Sequence, residues 1–325
     1  MMGLPSLPLA PTERSTTFRE GTARLLRFRS DTPANAPVVL LVPSLINRWY
    51  VLDLRPGASL VEALVQSGYD VWCLDWGVPN DEDRYLAWDQ VIAKVRRAVR
   101  RVRKGTGAAR IGLIGYCMGA TVASIHTALH PEDIGAFVNL AGPIDFEHAG
   151  ELGHMVDPRW FDPAAITSAG NLQALQMQAG FVALRPTANL AKMVGFVDRA
   201  KDDASREAFL CLEAWANDNV PFPAAAYVRY IRDLYQQNQL VRGVHYVRDR
   251  RVDLSNIRCP TMAIVASRDA ICPPKAATAL LDHVSTDDTK VLEVPGGHVG
   301  AVVGSRAQKT LYPGVCQWMR EKLCN

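Results

Sequence analysis

Three side chains in this 325-residue chain have the types and the order for covalent acyl chemistry: Cys117, Asp269 and His298. Cys117 is the centre of Gly115-Tyr116-Cys117-Met118-Gly119, just after the apolar run I-G-L-I (111–114) and before a helical segment that Pro131 stops. A strand, a tight turn and a helix in that order lift the central side chain off the sheet, and small residues on either side relieve the crowding. The partial positive charge at the start of the helix favours a thiolate. The Met118 N–H, with no partner inside the helix, is free to donate to an oxyanion. Asp269 follows the run T-M-A-I-V-A (261–266), and His298 follows K-V-L-E-V (290–294) within Pro295-Gly296-Gly297-His298. Nucleophile, acid and base therefore stand in one chain order, each just past an apolar run.

The chemistry open to such a trio is transfer of an acyl group. His298 takes the Cys117 proton or holds the thiol as an ion pair, and Asp269 orients the imidazole and stabilises its charged form. A second oxyanion donor belongs just after the run V-V-L-L-V (38–42), and the backbone N–H of Leu45 in V-P-S-L-I-N is the expected one. A thiolate attacks a thioester readily, because the bond formed resembles the bond broken. On the glycine frame alone, Cys117 reads equally well as a small hydrophobe packed at a crowded turn. The later Asp and His, both where the topology requires them, favour the catalytic reading.

The elements that must position these groups alternate along the chain. Apolar runs at 38–42, 70–76, 111–114, 136–140, 261–266 and 290–294 read as strands, and helices are expected at 59–66, 88–104, 117–130, 275–284 and 306–323. Short apolar strands between amphipathic helices predict an α/β fold, a mostly parallel sheet with helices on both faces. From about 143 to 255 the rhythm breaks into helical and loop segments with many aromatics and no strand. The expected organisation is a core from 1–142 and 256–325, with a helical cap or lid inserted at 143–255. Residues 1–17 are expected to lie loosely on the surface.

Composition sets outer bounds. The chain is 48% hydrophobic and 21% charged, enough apolar material for a sizeable core. A net charge of +3 is too small to argue by itself for nucleic acid. The start of the chain does not read as a secretory signal, and no apolar run is long enough to span a bilayer. The seven cysteines are scattered without a C-x-x-C pair, which points to reduced thiols in the cytoplasm rather than disulfides or zinc.

Several longer stretches carry a resemblance. V-P-S-L-I-N-R-W-Y-V-L-D-L-R-P-G-A-S-L-V (42–61), Y-D-V-W-C-L-D-W-G-V-P (69–79) and the G-Y-C-M-G elbow resemble polyhydroxyalkanoate synthases, a branch of the α/β-hydrolase superfamily. So do L-Y-Q-Q-N-Q-L-V-R-G (234–243), S-R-D-A-I-C-P-P (267–274) and P-G-G-H-V-G (295–300). The short N-terminal region is most similar to the catalytic subunit of the two-component type. The resemblance implies an acyltransferase that polymerises (R)-3-hydroxyacyl-CoA, of the 3-hydroxybutyryl type, into polyester with release of CoA. Cys117 would carry the chain as a thioester, His298 would activate it, and Asp269 would orient His298 or help activate the 3-hydroxyl. It also implies a homodimer, a second non-catalytic subunit, a cytoplasmic place at the surface of polyester granules, and no metal or organic cofactor. Ala270 replaces a His common after the acid, Ala120 a Gly common after the elbow, and Trp49 a Pro. The first of these leaves open a Cys-dependent thioesterase or depolymerase on the same scaffold.

Other features have plainer readings. Lys94, Arg96, Arg97, Arg100, Arg101, Arg103 and Lys104 form a solvated face opposite a valine stripe, with an anionic partner as the alternative. His148, Glu151 and His154 are spaced by three and rotate off one face, which suits a polar loop better than a metal site. Trp215, Tyr227, Tyr230 and Tyr235 read as cap core or as an acyl channel. Asp218 and Asn219 are placed to cap a helix. Cys73 is expected to be inert packing, and Cys272, near Asp269, to be structural.

Overall fold

The computed structural model describes residues 7–28, 35–183 and 202–324. Residues 184–201 of the expected insertion, and 1–6 of the expected loose start, lie outside the described residues. In chain order the core elements begin with strands β1 (Arg14–Glu20), β2 (Ala23–Phe28) and β3 (Val38–Val42), then helix α1 (Leu60–Gln66) and β4 (Asp70–Asp75). Next come α2 (Trp88–Thr106), β5 (Ile111–Tyr116), α3 (Met118–Leu129) and β6 (Ile134–Leu140). The insertion contributes α4 (Ala174–Ala183), α5 (Asp203–Asn217) and α6 (Ala224–Arg229) among shorter turns. The core resumes with β7 (Thr261–Ala266), α7 (Pro274–Thr278), β8 (Thr289–Val294) and α8 (Tyr312–Leu323).

The eight strands form one sheet in the order β1-β2-β4-β3-β5-β6-β7-β8. From β4 to β8 every pairing is parallel; β1 and β2 join antiparallel at one edge. The central strands read as unbroken apolar runs because both their faces are covered. Val38, Leu40 and Val42 of β3 pack with Trp88, Val91, Val95 and Val99 of α2 on one side. Val39 and Leu41 face the other way, into a core shared with α1 and α8.

The edge departs from the sequence expectation. Residues 14–17 are not loose but belong to β1, and β2 follows directly. Their pattern hid them: β1 is almost entirely polar and solvent-facing, so it shows no apolar run. In β2 two arginines interrupt the apolar residues. Arg24 and Arg27 lie across from β4 and bind its Asp75 and Asp70 at 2.6 and 2.8 Å. The helix expected at 306–323 is a π-helical segment over Ala307–Leu311 before α8 begins. Two-residue strands at Tyr246–Val247 and Arg250–Arg251 pair within the region expected to hold none.

Every residue of α3 is buried. Ser124 and Thr127 spend their hydroxyls on the carbonyls of Ala120 and Ala123. His126 finds no partner for either ring nitrogen. Its burial, with His130 and Arg96 close by, pushes it down to about 3 from 6.5. The folded chain therefore keeps His126 neutral, while the unfolded chain takes up a proton below pH 6.5. Stability from this group is complete above about pH 6.5 and is lost as pH falls from there toward 3, at about 1.4 kcal/mol per unit. His126→Leu is expected to flatten the fall of the thermal midpoint between pH 7 and 5; the same slope in both proteins would rule this out.

Candidate active site

Cys117 sits between the end of β5 and the start of α3 with φ 55° and ψ −132°, a region a non-glycine residue enters only under constraint. Its N–H donates to the Leu140 carbonyl at 2.9 Å, which ties the turn to β6. The flanking glycines are sterically required. A Cβ at Gly115 would lie 2.3 Å from the Ala120 Cα, and one at Gly119 would lie 2.1 Å from the Val42 carbonyl oxygen. Ala120, the alanine beside the elbow, is admitted because position 142 is glycine: a Cβ there would meet the Ala120 methyl at 2.3 Å. Met118 is the first residue of α3, so its N–H has no acceptor within the helix.

The acid and the base arrive on two laced loops. Arg268 N–H donates to Gly296 O at 2.8 Å, and Gly296 N–H donates to Ser267 Oγ at 3.2 Å. Gly296 has φ 144°, which lets the chain turn back toward β7. Asp269 Oδ1 accepts the N–H groups of Ile271 and Cys272, each at 2.9 Å. Its Oδ2 accepts from His298 Nδ1 at 2.7 Å. Both carboxylate oxygens are thus committed, and the side chain is fully buried.

The His298 ring lies against Tyr116, centroids 5.4 Å apart and planes 24° off parallel. Its Nε2 is buried and has no partner that meets hydrogen-bond geometry. Burial works to discharge this ring. The neighbouring Cys117, then the hydrogen bond that Nδ1 donates to Asp269, outweigh it and raise His298 to about 10. The structure therefore brings Cys117, His298 and Asp269 together. Cys117 and His298 share the wall of one chamber, and the Nε2 edge of the ring is the one not engaged by Asp269.

Leu45 lies in the turn after β3 and is buried. Its neighbours Ile46 and Asn47 reach the site. The end of α5 holds this loop: Val220 N–H donates to Ile46 O at 3.2 Å, Asn47 Nδ2 to Asn219 Oδ1 at 2.6 Å, and Trp215 Nε1 to Arg48 O at 2.9 Å. Asp218 caps the C-terminus of α5, its N–H donating to Trp215 O at 3.0 Å, and Asn219 Nδ2 donates to Ala216 O at 2.9 Å. The Asp218 carboxylate accepts the Tyr50 hydroxyl at 2.7 Å beside Arg48.

Two chambers meet at Cys117, with Ile46, Phe181 and Ile271 in both walls. One, of about 440 Å³, is walled mostly by apolar side chains, among them Met155, Phe161, Met177 and Phe222. The other, of about 460 Å³, holds His298 together with Asn47, Gln178, Asn219 and Arg268. Tyr227, Tyr230 and Tyr235 line the apolar chamber and Trp215 the polar one, so these four are wall as well as core. Cys272 also reaches the apolar chamber, with burial holding its thiol well above the ordinary range. Ala270 faces the polar chamber, where a larger side chain would take up space. Sequence reading missed Asn47, Gln178 and Arg268, which stand in no periodic pattern.

The other candidates stand apart from this site. The basic face of α2 ends at the opposite edge of the sheet, where α2 leads into the start of β5. Along that helix Lys94 and Arg97 pair with Glu20, Arg103 pairs with Asp133, and Arg101 covers Phe18. His148 faces Asp145, whereas His154 packs its ring on Trp160. Cys73 is sealed in β4, its thiol pushed up by burial. Among the described residues no helix is long and apolar enough to cross a membrane.

Comparison with known proteins bears on the same elements. Residues 37–305 match the family described as "alpha/beta hydrolase fold", and residues 7–64 match "Poly-beta-hydroxybutyrate polymerase (PhaC) N-terminus". The chain is 31% identical over 306 residues to the poly(3-hydroxyalkanoate) polymerase subunit PhaC of Allochromatium vinosum, covering 92% of this chain and 86% of that one. It is 33% identical over 316 residues to the subunit of the same name from Haloferax mediterranei, covering 96% of this chain but 64% of that longer relative. A solved structure of a hydrolase from Pseudomonas aeruginosa superposes with a TM-score of 0.59 at 17% identity, over 94% of this chain and 98% of that one. At that identity the match speaks to the fold alone.

Proposed function

This chain belongs to the poly(3-hydroxyalkanoate) polymerases of the α/β-hydrolase fold, and from that premise we propose that it polymerises (R)-3-hydroxyacyl-CoA through a thioester on Cys117. The observation that carries this reading is the meeting of Cys117 with the hydrogen-bonded His298–Asp269 pair where an apolar and a polar chamber join.

The cycle has two acyl transfers. His298 Nε2 takes the Cys117 proton, and the thiolate attacks the thioester carbonyl. The oxyanion is received by the N–H groups of Met118 and Leu45. When it collapses, the bond to CoA breaks, the imidazolium returns its proton to the departing sulfur, and CoA leaves as the free thiol. In the second transfer, His298 takes the proton of a 3-hydroxyl. That oxygen attacks the acyl-cysteine, an ester forms, and Cys117 is released as thiolate and reprotonated. Asp269 orients His298. The commitment of both its oxygens supports that role over direct activation of the substrate hydroxyl. Residues 143–255 act as the cap over this site. A homodimer, a second non-catalytic subunit and the granule surface complete the proposed setting.

The test is incubation with 3-hydroxybutyryl-CoA, with and without a candidate second subunit. Release of CoA with insoluble polyester is the expected result. Soluble 3-hydroxybutyrate as the sole product would replace polymerisation with hydrolysis.

A further inference from the structure

Just after α6, the run Tyr230–Gln236 is a π-helix rather than a continuation of the α-helix. The difference changes which side chains meet. On an α-helix, residues five apart point roughly 140° away from each other. The wider π turn, closed by bonds between residues five apart, brings them over one another. Tyr230 and Tyr235 are five apart, and their rings pack edge to face with centroids 5.5 Å apart.

That pairing is held rigidly. Phe146 packs on Tyr235 at 4.7 Å and on Tyr230 at 6.0 Å, and Trp88 packs on Tyr230 at 5.3 Å. Both tyrosines line the apolar chamber beside Cys117. Besides Gln176 and Tyr227, they supply its polar side-chain groups; the other lining side chains are hydrocarbon, thioether or thiol. Cys117 and both tyrosines share the wall of this one chamber. Tyr230 is almost fully buried whereas Tyr235 is only partly so, which leaves Tyr235 the more open of the two to the chamber. A phenol presented by a dedicated backbone irregularity, in an otherwise greasy wall, suits a ligand with one hydroxyl on a short hydrocarbon.

We propose that Tyr235, positioned by Tyr230, forms a hydroxyl-binding subsite that selects 3-hydroxyacyl thioesters over acyl thioesters lacking the hydroxyl. The inference rests on the acyl-transfer reading above. An acyl group whose carbonyl carbon is at the Cys117 sulfur carries its 3-hydroxyl two carbons further on, into the chamber. A site built to bond that hydroxyl rejects the analogue without it, because a phenol enclosed by the bound acyl group is then left unpaired.

The experiment is single-turnover CoA release from 3-hydroxybutyryl-CoA and from butyryl-CoA, for the whole chain and for Tyr235→Phe and Tyr230→Phe. Each phenylalanine keeps the ring packing, and a thermal melt checks that it does. The unaltered protein is expected to favour the hydroxyacyl thioester by about 100-fold or more. Tyr235→Phe should slow that substrate by roughly 10- to 100-fold without slowing butyryl-CoA, which no longer leaves a phenol unpaired, and Tyr230→Phe should do the same to a smaller degree. An unchanged ratio in folded Tyr235→Phe, or equal rates for both thioesters in the unaltered protein, would overturn the subsite and leave acyl transfer standing. Release from neither thioester would remove acyl transfer and the subsite with it.

Discussion

Cys117→Ala is expected to abolish CoA release from 3-hydroxyacyl-CoA, a loss on the order of 10⁴-fold or more, while the fold persists. The size follows from the role: without the sulfur no acyl-enzyme forms, and the remaining oxyanion donors can only assist direct attack by water or hydroxyl. The persistence of the fold follows from geometry. Cys117 is held at φ 55° by Gly115, Gly119 and the bond from its N–H to Leu140, none of which involves the thiol. Alanine carries a Cβ into the same strained region as cysteine does, so it adds no new backbone penalty. CoA release is followed by the appearance of free thiol, and the thermal midpoint is measured beside it. A variant that turns over at the original rate would remove Cys117 from the chemistry altogether.

Asp269→Asn should cost nearly as much, about 10³- to 10⁴-fold in CoA release, with little change in stability. The Asp269 Oδ1 position accepts two backbone N–H groups, from Ile271 and Cys272. An asparagine must keep its carbonyl oxygen there, since its amide would confront two donors. The amide NH₂ is then turned to His298 Nδ1, where the carboxylate accepts now. A donor at that place forces the imidazole proton onto Nε2, and a ring protonated there cannot take the Cys117 proton. The lost carboxylate also withdraws part of what holds His298 near 10, so its titration should move down. Ring-proton resonances followed against pH would register this. Retention of more than about a tenth of the activity would show that Asp269 does not set the tautomer.

The α/β-hydrolase architecture was legible because its signals are local. A strand covered on both faces must be apolar throughout, as in V-V-L-L-V at β3, and a helix packed on one face must repeat near 3.6, as in α2. Cys117, Asp269 and His298 were legible for a related reason: in a parallel sheet the residue after a strand is at its carboxyl edge, so position along the chain fixes position in space. Edge strands β1 and β2 escaped because an edge need bury little, and the arginines of β2 are matched by Asp70 and Asp75 from a strand far along the chain.

Sequence alone thus determined the parallel strands from β3 onward, the crossing helices and the places of Cys117, Asp269 and His298 just past three of those strands, since each follows from burial and from short-range steric rules. Only the tertiary structure decided what surrounds them. The commitment of Asp269 to two loop N–H groups, the division of the cavity into an apolar and a polar arm, and the grip of Asp218 and Asn219 on the loop after β3 all join segments 100 or more residues apart or depend on side-chain direction. The Tyr230–Tyr235 pair depends on one helix having chosen the π form. Such features follow from packing between remote segments, and no periodicity in the chain records which side chains will share a wall.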